Sequence, residues 1–138
     1  MKVSDPNVDE LLLTVRKLRS TEGCPWDRQQ TTTSLIKFFQ EEFNELMDAI
    51  KNQDFPNICE ESGDLLYLIL MISEICRENG HFHFPDVVRL ANQKLIRRHP
   101  HVFAGKSYVN EADLIKQWQQ IKSEEKEKNL FDTNLPKL

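Results

Sequence analysis

The stretch ESGDLLYLILMISEICRE, residues 61–78, decides the fold class. Every position from Leu65 to Ile72 is apolar, so a helix through it is apolar on all sides and has to be covered all round. The run lies within a longer helical pattern from about Asn57 to Glu78, and Asn79-Gly80 is a good C-terminal stop. One small helical domain has too little surface to cover such a helix by itself, which makes a second subunit its simplest cover.

The flanking segments repeat the helical period. Leu35, Ile36, Phe39, Phe43, Leu46, Met47 and Ile50 form the apolar arc of a helix from about Thr33 to Lys51, broken by Asn52, Asp54 and Pro56. Further upstream, Val8, Leu11, Leu12, Val15 and Leu18 share one helical face. That first helix is opened by Ser4-Asp5-Pro6 and closed near Ser20. TEGCPWDRQQTTT (residues 21–33) reads as an ordered loop in which Trp26 needs burial. Downstream, a helix from about Pro85 carries Val87, Leu90, Ala91 and Leu95 and ends before Pro100. Another follows the cap-like Asn110, with Leu114, Ile115, Trp118 and Ile121 inward. Strand-like alternation persists nowhere. The prediction is an all-α bundle of about five helices, completed by dimerisation. Residues 1–122 form its domain and 123–138 a charged tail.

Composition narrows the function classes. A length of 138 residues fits one domain, and 39% apolar residues suffice for one core. A net charge of −4 argues against a general nucleic-acid binder. The three cysteines, Cys24, Cys59 and Cys76, are odd in number and form no CxxC pair, which disfavours a disulfide framework and a thiolate zinc site. Cys59 and Cys76 read as small core residues. The N-terminus lacks a signal pattern, and the longest apolar run is far short of the roughly 20 residues that span a membrane. The expectation is a cytoplasmic protein with no membrane partner.

Two acidic clusters lie on consecutive helices: the EExxE of Glu41, Glu42 and Glu45, and the ExxD of Glu61 and Asp64. Spacings of three place Glu42 with Glu45, and Glu61 with Asp64, on common faces. Antiparallel packing of the two helices lets four carboxylates converge. Crowded carboxylates repel one another, and hard oxygen donors favour Mg2+ or Mn2+ as the compensating cation. The alternative is a solvated acidic face. Against it, Asp64 abuts the apolar run, where an unpaired carboxylate is expensive.

Lys94, Arg97 and Arg98 fall at i, i+3 and i+4 and form one basic edge suited to phosphate oxygens. Dipole complementation at a helix C-terminus would by itself explain one or two of them. Trp118 and Lys122, four apart, suit a base and a phosphate, while Trp118 as a core anchor is the competing reading. Ala104-Gly105-Lys106-Ser107 is no P-loop, because Pro100 stands where its first glycine belongs. The ExxH spacing of Glu78 and His81 is interrupted by the helix stop at Asn79-Gly80. His99 and His101, flanking Pro100, read as structural.

GCPWDRQQT (residues 23–31), the EExxE/ExxD pair, KLIRRHPHVF (residues 94–103) and the WxxxK of Trp118 and Lys122 together resemble the MazG nucleotide pyrophosphohydrolases. The likeness spans nearly the whole chain, in order and with matching intervals. It implies an all-α dimer, or a dimer of dimers, that hydrolyses ribo- and deoxyribonucleoside triphosphates to monophosphate and pyrophosphate. By that resemblance Glu42, Glu45, Glu61 and Asp64 hold Mg2+, with Mn2+ as a substitute, and Glu41 stands at the edge of the site. Lys94, Arg97 and Arg98 grip phosphates, and Trp118 and Lys122 contact the nucleotide. Thr32 replaces the histidine usual in the family's QTHxSL segment, and the LGD glycine context is Ser62-Gly63-Asp64 here. Residues 134–138 look like a linker leading to a second half, which implies a single-half form. Two rival readings are a pyrophosphatase restricted to one deoxynucleotide or damaged nucleotide, and a catalytically silent helical interaction module.

Overall fold

The computed structural model describes residues 7–128 and contains, among them, seven helices and no strand. The two helices beyond the five expected are short. They lie within the 21–33 segment and at Pro100–Phe103. No helix is long and apolar enough to cross a membrane among the described residues. The chain divides after Gly80 into two compact units.

The first unit holds α1 (Val8–Leu18), α2 (Pro25–Gln29), α3 (Ile36–Lys51) and α4 (Phe55–Glu78). Asn7 caps α1, its side chain accepting the Glu10 N–H at 3.0 Å. Asp9 and Glu10 in the first turn and Arg16 and Lys17 in the last suit the helix dipole. The expected start signal at residues 4–6 lies outside the described residues. Gly23 sits so close to the end of α1 that a Cβ there would stand 2.2 Å from the Leu18 carbonyl oxygen. That approach lets the Cys24 N–H reach the same oxygen at 2.8 Å.

Residues 52–54 turn α3 back onto α4, with Gln53 in the left-handed region at φ 51°. Asp54 caps α4 through the Asn57 N–H at 3.3 Å. The α3–α4 hairpin is the most extensive helix pairing, and α1 packs on α4 through Leu12 and Val15. The core gathers on the C-terminal half of α4, where Leu68, Leu70, Met71, Ile75 and Cys76 are buried.

Glu74 is buried in that same half and receives Arg16 at 2.8 Å and Arg77 at 2.9 Å. Burial alone would push its carboxyl up, but hydrogen bonds from the two guanidinium groups hold it below its ordinary range.

Two expectations for this unit are corrected. Trp26 is exposed, meeting the edge of Phe38 at 5.3 Å between ring centres. The loop is anchored instead by its neighbour Asp27, buried and accepting the Tyr67 hydroxyl at 2.5 Å, with Arg19 donating to the Asp27 carbonyl. Polar anchoring of this kind leaves no trace in hydrophobic periodicity. Cys59 is exposed, lying in the N-terminal half of α4 away from the buried stretch 68–76, whereas Cys76 is buried as expected. Within the single chain the α4 run is left partly open, Ile69 being 39% exposed. The facing arc of α3 is also open, with Ile36, Phe43, Met47 and Ile50 on the surface.

The second unit holds α5 (Phe84–Arg98), the single turn α6 (Pro100–Phe103) and α7 (Glu111–Glu127). Asp86, buried in the first turn of α5, accepts the His83 N–H at 3.1 Å, meets the His83 ring, and receives Arg89 at 3.3 Å. Asn110 caps α7 as expected, accepting the Asp113 N–H at 2.9 Å. Residues 123–127, read as the start of a charged tail, continue α7 without a break. The remainder of that segment from 129 on, including 134–138, lies outside the described residues.

Candidate functional site

The α3–α4 hairpin brings three of the expected carboxylates together. One carboxylate oxygen from each of Glu42, Glu45 and Glu61 lies within 4.8 Å of the others. The spacing explains it: Glu42 and Glu45 are one turn apart on α3, and Glu61 sits on the facing stretch of α4. Glu42 and Glu61 are half-buried, and the Oε2 atom of each is shielded from solvent with no hydrogen-bond partner. Buried polar atoms are ordinarily satisfied, so two orphaned carboxylate oxygens in one cluster mark a place for a cation.

The electrostatics agree. A hydrogen bond with Glu42, desolvation, and the nearby Glu45 push the Glu61 carboxyl up to about 7. Burial also raises Glu42, against the hydrogen bond with Glu61 that lowers it, and the charges of Glu45 and Asp64 add to the rise. Carboxylates crowded in this way are relieved by a hard divalent ion. Asp64 thus stands near enough for its charge to reach Glu42 but is not one of the three converging groups. Glu41 is exposed on the adjoining position of α3. The donor set is all oxygen, which fits Mg2+ or Mn2+ better than a softer metal.

The basic and aromatic residues all belong to the second unit. Lys94, half-buried, lines a cavity of about 300 Å³ with Phe82, Val87, Leu90 and Ala91. Arg97 and Arg98 are both engaged by Glu125: Arg97 Nε reaches its carboxylate at 2.7 Å and Arg98 Nη2 at 2.9 Å. The Lys122 ammonium stands 4.4 Å from the centre of the Trp118 ring, a cation–π contact. Trp118 and Arg98 line a second cavity of about 300 Å³ together with His99, His101, Glu111, Leu114 and Ile115. His99 spends its Nδ1 on the Leu95 carbonyl at 2.6 Å, and His101 meets the edge of Tyr108.

Glu125 is the residue that sequence reasoning passed over. It looked like one more charge in a solvated tail. Its position, seven after Trp118 and three after Lys122, is the signal that places it on their face of α7.

Residues 30–103 match the family described as the MazG nucleotide pyrophosphohydrolase domain. The nucleoside triphosphate pyrophosphohydrolase of Escherichia coli (strain K12) is 41% identical over 120 residues, covering 86% of this chain and 46% of the relative. The nucleoside triphosphate pyrophosphohydrolase/pyrophosphatase MazG of Thermotoga maritima is 45% identical over 131 residues, covering 93% of this chain and 49% of the relative. The chain therefore spans about half the length of the curated relatives it matches. Among solved structures, a mazG-related protein from Thermotoga maritima superposes with a TM-score of 0.69 at 25% identity, covering 83% of this chain and 98% of that one.

Proposed function

The chain belongs to the MazG nucleotide pyrophosphohydrolase family, and from that membership we propose that it hydrolyses nucleoside triphosphates to nucleoside monophosphate and pyrophosphate. The observation that carries the reading is the convergence of Glu42, Glu45 and Glu61, with two buried carboxylate oxygens lacking any partner. Glu42, Glu45 and Glu61 would hold Mg2+, with Asp64 beside them. Bound there, the ion would neutralise phosphate charge and supply a water of lowered pKa.

The protein's own residues do the rest. A carboxylate oxygen of Glu41 or Glu45 takes the proton of the attacking water as the water oxygen bonds to the α-phosphorus. The bond from that phosphorus to the α,β-bridging oxygen breaks, and pyrophosphate leaves. Lys94, Arg97 and Arg98 bind phosphate oxygens, and Trp118 with Lys122 contacts the nucleoside. The open apolar arc of α3 pairs with a second copy of the chain, which makes the working form a homodimer or a dimer of dimers.

Product analysis tests the activity. The protein is incubated with a mixture of ribo- and deoxyribonucleoside triphosphates, with and without Mg2+, and the products are resolved by anion exchange. Monophosphate with pyrophosphate, formed only with Mg2+, is the expected result. Diphosphate with phosphate would move the scissile bond. No product under any condition would reject the activity in favour of a silent module. Glu61→Gln is expected to abolish turnover and keep the fold, and normal turnover by that variant would remove Glu61 from the site.

A further inference from the structure

Glu125 is the most buried charged side chain described in the second unit, at 1% exposure. Its carboxylate accepts Arg97 Nε at 2.7 Å, Arg98 Nε at 3.2 Å and Arg98 Nη2 at 2.9 Å. Two guanidinium groups on consecutive residues thus share one carboxylate, and the trio keeps a surplus of one positive charge. Stability alone is a weak reason for such a group, because well-packed apolar side chains of similar volume generally serve a fold as well or better.

Placement supplies the better reason. Arg98 is only 14% exposed in its side chain and forms part of the wall of the Trp118 cavity. Glu125 takes its Nε and Nη2 and leaves Nη1 as the spare donor. A long side chain that would otherwise sample many rotamers is held in one.

We propose that Glu125 is a positioning residue: it holds the Arg98 guanidinium at the wall of the Trp118 cavity in the orientation that binds the phosphate chain of a nucleotide whose nucleoside end lies against Trp118. The inference rests on the nucleotide-hydrolysis reading above. It makes the α5–α7 ion trio part of substrate recognition and not only of the fold, and it predicts that Glu125 acts entirely through the arginines.

Steady-state kinetics with a nucleoside triphosphate and Mg2+ test it on the full chain. Glu125→Gln keeps the shape and removes the charge. Its KM is expected to rise by about tenfold or more, the usual weight of a charge-assisted hydrogen bond, with kcat changed much less. Glu125→Asp, which keeps the charge on a shorter stem, should recover part of the loss. With both Arg97 and Arg98 replaced by Ala, Glu125→Gln should leave KM where the double replacement alone put it. A merely structural role would lower the amount of active enzyme and hence the apparent kcat, leaving KM unmoved.

An unchanged KM in Glu125→Gln overturns the proposal, as does an effect of full size when Arg97 and Arg98 are both Ala. If Glu125→Gln does not fold, Arg98→Lys decides, since an ammonium keeps the charge but loses the planar fork. KM should then rise as it does in Arg98→Ala, and a wild-type KM in Arg98→Lys overturns the proposal. A wild-type protein that turns over no nucleotide would reject the functional reading, and this inference with it, and so is distinct from a failure confined to the variants.

Discussion

At Glu61 the fold keeps a proton that water would take away. The carboxyl is raised from its ordinary 4.5 to about 7 in the metal-free protein. The folded state therefore binds that proton more tightly than the unfolded chain does, and the stability it contributes is full below pH 4.5 and lost as pH rises through about 7. Thermal melts of the metal-free protein should show Tm falling across that interval. Added Mg2+ should restore Tm most strongly at the alkaline end, where it has no proton to displace. Glu61→Gln should flatten the metal-free profile and remove the response to Mg2+, and a slope unchanged in that variant would place the proton elsewhere. Glu61 was legible in the sequence because one-turn spacing and proximity to the apolar run are local facts. Glu125 was not, because its partners Arg97 and Arg98 precede it by more than a turn of any helix, and charge in a Lys/Glu-rich segment looks alike whether solvated or paired.

Elements are joined in this chain by a few close approaches. Gly23→Ala would drive a Cβ into the Lys17 and Leu18 carbonyl oxygens, so it should cost roughly 1–3 kcal/mol, read as a lower urea midpoint at constant m. Gly63, in α4, has open space where a Cβ would go, and Gly63→Ala should raise stability by about 0.5–1 kcal/mol through helix propensity. A destabilised Gly63→Ala would mean that something packs there which the chain itself does not supply. The ion pairs of Glu74 are asymmetric. Arg16→Ala leaves a buried carboxylate with one partner fewer and should cost about 1–3 kcal/mol, whereas Arg16 and Arg77, both partly exposed, can turn to water when Glu74 is replaced by Gln. Urea melts of both variants should rank Arg16→Ala as the more damaging. The four main helices of the sequence reading beyond α1 begin within about three residues of their observed starts, since caps and apolar period mark them. The short α2 and α6 escaped because one turn or little more carries no period.

For the molecule as a whole, the open question set by the sequence was what covers α4, and the structure extends it to α3. Ile36, Phe43, Met47 and Ile50 recur at helical intervals and stand 55%, 54%, 36% and 54% exposed. A stripe of that kind on a lone chain is an unmet association surface. If a second copy meets it, Ile50→Glu should yield monomers by sedimentation, and wild-type Tm should rise with protein concentration. A wild-type protein that stays monomeric at high concentration would reject the assembly.

The ion trio in the second unit also has a temporal side. Arg97 and Arg98 are synthesised well before Glu125, the only carboxylate among the described residues that pairs with them. While the ribosome adds the intervening residues, two adjacent cations wait for a counter-charge that arrives near the end of α7. The second unit can therefore settle its charges only once that last stretch has emerged. A chain cut at residue 122 would be left permanently in the waiting state, with every helix-forming segment of α5 in place and nothing to hold its arginines.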